Sequence, residues 1–183
     1  MAKLRIGHRY PSVLAIAAVS IGVVLLAARA DSSASPLISK QDQIVTPRGI
    51  GHLRIGTTVS SLHRHHLIRG LRPGCELDPG QRVARLRPPL KGFAIFADGK
   101  NRLSSLSITG GAETAKHIGI GSTPKEARAA YPRALYNPPG TFDPFAEGFF
   151  WINGIRHPKM TFVVDPGSNE ISAIDVPAPS FCE

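Results

Sequence analysis

Ile55-Gly56-Thr57-Thr58 returns 65 residues later as Ile120-Gly121-Ser122-Thr123. Each copy places a glycine before two hydroxyl residues, and the second hydroxyl residue suits a helix N-cap, where its oxygen accepts a bond from a first-turn amide. Thr58 thus predicts a helix in which Val59, Leu62 and His66 follow on one face and Gly70 closes the run. Thr123 predicts a second one. Pro124 takes its first position, Glu126 completes a capping box, and Pro132 stops it after about two turns.

A pair of strand-like runs follows each helix. Phe93, Ile95 and Ala97 alternate, Asp98-Gly99 is a turn signal, and Leu103, Leu106 and Ile108 return. The odd spacing of Leu103 and Leu106 predicts a bulge. In the second copy residues 161–164, Pro166-Gly167 and 171–176 repeat the hairpin, and residues 149–152 form a further strand-like run. Gly99, Leu103, Leu106 and Ile108 match Gly167, Ile171, Ile174 and Val176 at an offset of 68. The reading is an α+β domain of two tandem α-β-β repeats forming one antiparallel sheet with the helices on one face. Repeat one spans 48–110 and repeat two 111–183, as a single two-repeat domain over 48–183. Neither repeat is large enough to bury its own helix, and the second sheet face is expected to stay open.

The first thirty residues read as an export signal. Lys3, Arg5 and Arg9 precede an uncharged, largely apolar run over 13–28, and Ala28-Arg29-Ala30 supplies a small-x-small cleavage pattern. Cleavage after Ala30 gives a secreted or extracytoplasmic chain; retention of the run would instead leave a membrane anchor. Residues 31–47 are polar and carry two prolines, which reads as a disordered linker.

The formal net charge of +9 falls to +5 without the signal, which holds four bases and no acid. The remainder is uneven: residues 48–102 hold eleven bases and three acids, residues 103–183 six bases and eight acids. A basic half suits acidic partners such as envelope polymers, anionic lipid or an acidic protein face. The two cysteines, Cys75 and Cys182, most simply form one disulfide in an exported chain. It would close a loop worth roughly 4–5 kcal/mol in the chain-entropy picture. A reactive or metal-binding thiol pair lacks the C-x-x-C spacing.

The Ile-Gly-x-Thr-x-x-Glu helix start at 120–126, used with its partner phrase in an exported chain, resembles the tandem-repeat fold of the β-lactamase-inhibitor and SmpA/OmlA-like proteins. The chain is also similar to uncharacterised secreted actinobacterial proteins with the same two phrases, a closing cysteine and the helix end Arg-Ala-Ala-Tyr-Pro, here 128–132. The resemblance covers about 49–182 and implies fold rather than chemistry. In the inhibitor proteins a concave sheet face binds a partner enzyme and each repeat has its own disulfide; this chain has one cysteine per repeat.

No catalytic constellation emerges. His63, His65 and His66 lack a nearby carboxylate to complete a metal site, and a solvated basic helix face explains them. Gly119-Ile120-Gly121-Ser122-Thr123 lacks the lysine of a phosphate loop. No Gly-x-Ser-x-Gly elbow is present, and Asp143 and Glu147 lie among loop residues. The aromatic cluster is the better candidate: Phe142, Phe145, Phe149, Phe150 and Trp151 fall within ten residues. Alternation in a strand sends Phe149 and Trp151 to one face and Phe150 to the other. The candidate binding residues are Phe142, Phe145, Phe150 and Trp151, and no catalytic residue, metal or cofactor is assigned.

The expected function is an exported non-catalytic protein, not an enzyme, that binds a protein or envelope component through its open sheet face. The rivals are a small cell-wall-directed hydrolase and a membrane-tethered sensor domain. Nucleic acid is not an expected partner, because the bases lie in the first repeat and the rings in the second.

Overall fold

In chain order the first half of the computed structural model runs β1 (Ile44–Thr46), β2 (Gly49–Ile50), β3 (Leu53–Arg54), α1 (Val59–Arg64), β4 (Ile68–Pro73), β5 (Arg82–Leu86), β6 (Lys91–Phe96) and β7 (Leu103–Gly110). The second half runs β8 (Glu113–Thr114), α2 (Pro124–Ala130), β9 (Leu135–Asn137), β10 (Gly148–Ile152), β11 (Met160–Val164) and β12 (Ile171–Val176). The structure describes residues 43–74, 78–97, 99, 101–141 and 146–179.

Both threonines cap helices. Thr58 Oγ1 accepts the Ser61 amide at 3.2 Å, and Thr123 forms a full capping box with Glu126. The helices are short, six and seven residues, against twelve strands among the described residues. The α+β expectation of α-β-β repeats under a helical layer is therefore overturned: the chain is mostly β. The first helix ends early because the backbone reverses at His66, which takes a left-handed φ of 53°. The Leu67 amide then bonds the Leu62 carbonyl, so Ile68 and the Gly70 expected to close the helix belong to a strand instead. Together the helices bury only Val59, Leu62 and Ala127. Full burial of a large apolar side chain stabilises by roughly 1.5–3 kcal/mol, so most of the packing energy comes from sheet residues.

The main sheet has eight strands in the order β4-β5-β6-β7-β12-β11-β10-β9, all neighbours antiparallel. It consists of two four-strand meanders joined where β7 meets β12. At that seam Ile108 faces Ile174, Ser107 faces Asp175 and Leu106 faces Val176. Under the 68-residue offset Leu106 corresponds to Ile174 and Ile108 to Val176. Swapping halves therefore turns the Ile108–Ile174 pair into the Leu106–Val176 pair and returns Ser107–Asp175 to itself, which defines a local twofold axis at Ser107 and Asp175. The register between β6 and β7 shifts at Ile95/Phe96, where the bulge was expected.

The repeated phrase ties each helix start to its half of the sheet. The Gly56 amide donates to the Leu103 carbonyl at 2.7 Å, and the Leu103 amide donates to Thr57 at 2.8 Å. In the second half Gly121 donates to Ile171 at 2.9 Å, and Ile171 donates to Ser122 at 2.8 Å. The glycines share a left-handed backbone, φ 89° and 86°, that a residue with a Cβ adopts only with strain.

The inner face of the main sheet carries the row Tyr136, Phe150, Phe162, Ile174, Ile108 and Gly92. These apolar side chains share one core with the helices and with Val45, Ile50 and Leu53. The last three come from a second sheet of four strands, β3-β2-β1-β8, in which β1 and β8 run parallel. This corrects the boundary of the expected linker: β1 lies inside the 31–47 span, and Val45 is 2% exposed. The signal segment lies outside the described residues. Among the described residues no helix is long and apolar enough to cross a membrane.

Candidate binding face

The outer face of the main sheet follows from the same register. One residue from each strand lines up across it: Arg69, Arg85, Phe93, Ser107, Asp175, Thr161, Trp151 and Leu135. Neighbouring strands are spaced about 4.8 Å apart. The row thus has a basic end on β4 and β5, a polar centre at the seam, and an aromatic end on β10.

At the aromatic end, period-two alternation divides β10. Phe150 is 0% exposed and stacks on Tyr136 with centroids 4.0 Å apart, inside the core. It offers no surface to a partner, so its assignment as a binding residue is corrected: residues 150 and 151 cannot share a face in a regular strand. Trp151 lies on the outer face, half-buried, and stacks on Phe149 at 5.5 Å and 23° between planes. Phe142, Phe145 and the Cys75–Cys182 pair lie outside the described residues.

At the centre, Asp175 is 3% exposed. Desolvation raises its carboxyl from 3.8 to about 6, with the negative charge of Glu147 adding to the shift and a Ser107 hydrogen bond opposing it. Thr161, its neighbour on β11, has a fully buried hydroxyl with no hydrogen-bond partner among the described residues. Val163 and Ile95 are also buried on this side without belonging to the main core.

At the basic end, Arg69 stands directly opposite Arg85. The irregularity between Arg69 and Arg72 lets Arg72, paired with Val83, join them on the outer face. All three are exposed, and none has a carboxylate partner among the described residues. Sequence reading missed this group because Arg-Gly-Leu-Arg-Pro at 69–73 lacks strand residues. The signal was the Val83–Arg85 spacing, which a strand assignment turns into a shared face.

The histidines do not gather. His65 stacks on His52 at 5.5 Å, and no cluster of three or more potential metal ligands occurs among the described residues. A separate cleft of roughly 570 Å³ is lined by Gln43, Ile44, Glu113, His117 and Ile120 with three small residues. His117 Nδ1 lies 3.0 Å from Glu113 Oε1 there, both solvent-accessible. Among the described residues that line this cleft there is no serine, threonine or cysteine. Comparison with protein-family models, curated proteins and solved structures finds no match to the chain.

Proposed function

We propose that this chain is an exported, non-catalytic binding protein whose outer sheet face, around Trp151, contacts a protein or cell-envelope component. The supporting observation is the Phe149–Trp151 stack, held half-buried on the side turned away from the core. Aromatic side chains that keep an accessible surface on a rigid sheet are enriched among the anchors of binding interfaces. Export rests on the basic, apolar and Ala-x-Ala pattern of the first thirty residues.

Trp151 is the chain's only tryptophan, so its fluorescence reports on this face alone. Titrating the mature chain with fractionated envelope components is expected to shift its emission and shield it from acrylamide. Trp151→Ala, with an unchanged circular dichroism spectrum, is expected to lose retention of the same component. Unaltered emission with every fraction, or equal retention by the variant, overturns the reading. The exported form is expected to begin at Asp31; a chain still carrying residues 13–28 would favour the anchored sensor.

A further inference from the structure

We propose that the basic end of the outer face, Arg69, Arg72 and Arg85 beside Phe93, binds a linear anionic polysaccharide. The inference rests on the proposed role of this face in binding and names the chemical class of one partner.

Folding alone does not account for the arrangement. Arg69 and Arg85 occupy directly opposed positions on neighbouring strands, where like charges destabilise a sheet. The irregularity after Arg69 adds Arg72 to the same face, and no carboxylate among the described residues pairs with any of the three. An anion from outside the chain would relieve this repulsion. Guanidinium forks match the planar geometry of carboxylate and the oxygens of phosphate.

Neighbouring features select the polymer. Phe93 is the next residue along the row from Arg85 and is half-buried, offering a ring for the apolar face of a sugar. A membrane surface fits less well, because interfacial binding also uses exposed apolar side chains. Ile55, Ile120, Leu135 and Ile155, the exposed large hydrophobics among the described residues, all lie outside β4 and β5. An acidic peptide adding as a strand would have to pair along β4, whose ladder is interrupted between Arg69 and Arg72.

The test uses the mature chain and polygalacturonate, with neutral dextran as control, followed by calorimetry at several salt concentrations. Binding to polygalacturonate but not dextran, weakening with salt, is expected. Arg69→Ala/Arg85→Ala should weaken it at least tenfold, whereas Lys125→Ala/Arg133→Ala, which removes as much charge elsewhere, should leave it within twofold. Polygalacturonate binding is read without the Trp151 emission or the envelope-retention assay, so failure here and failure of the proposed function are separable. Absence of polygalacturonate binding overturns the inference, as does an equal loss in the two charge-matched doubles. Tighter binding to phosphatidylglycerol vesicles or to polyglutamate also overturns it, in favour of lipid or acidic protein.

Discussion

Asp175 has a serine as its counterpart in the other half, and the two meet at the seam: Ser107 faces Asp175 and shares a hydrogen bond with its carboxyl. The native state holds the Asp175 proton more tightly than the unfolded chain does, since burial lifts the group from 3.8 to about 6. Its stabilising contribution is therefore full below about pH 4 and is lost as pH rises through about 6, the reverse of an ion-paired carboxylate. The shift corresponds to something on the order of 3 kcal/mol. Urea unfolding of Asp175→Asn from pH 4 to 8 is expected to lack this decline, leaving the variant more stable relative to wild type at pH 7 than at pH 4. Parallel curves for the two proteins would refute it. The Thr161 hydroxyl beside it, without a hydrogen-bond partner among the described residues, carries a further cost of about 1–3 kcal/mol. Thr161→Val is expected to raise the melting temperature, and a fall would show that the hydroxyl has a partner after all.

At the scale of elements, the two threonine caps and the last hairpin of each half were legible, because capping and alternation are local signals. The run at 149–152 was legible as well and became β10, but several other strands were not. β4 reads Ile-Arg-Gly-Leu-Arg-Pro, poor in strand formers, and becomes a strand only by pairing with β5. β9 has three residues, too few for a period, and β1 lies in a segment whose composition reads as polar tether. The split of Phe150 from Trp151 followed from alternation, but which face was the core required the sheet order. The repeated glycines give a test at this scale. Gly56 and Gly121 have nearly the same positive φ, and open space where a Cβ would stand. Gly56→Ala and Gly121→Ala are thus expected to destabilise by similar amounts, about 1–2 kcal/mol each, from backbone strain alone. Gly92→Ala should be worse, since its Cβ would fall 1.9 Å from the Ser107 carbonyl oxygen. Chemical denaturation ranks the three. Unequal losses at Gly56 and Gly121 would deny that the two phrases do the same work.

For the whole molecule, the seam between β7 and β12 makes the halves dependent on each other. Leu106, Ile108, Ile174 and Val176 are buried across it, so separation would expose all four to water. Residues 48–110 and 111–183, expressed separately, are expected to lack a cooperative melting transition; a sharp transition in either alone would contradict this. The twofold relation was visible in the sequence as two offsets. The asymmetry laid over it was visible only as a charge imbalance, until the register set arginines at one end and a tryptophan at the other.

The order of strands has a last consequence, at the rims. Among the described residues the eight-stranded sheet does not close and leaves two borders, β4 and β9, onto which another chain could add strand by strand. One border is interrupted and studded with cations, and the other is three residues long. Each disfavours templated growth in a different way, the first by charge and irregularity and the second by shortness.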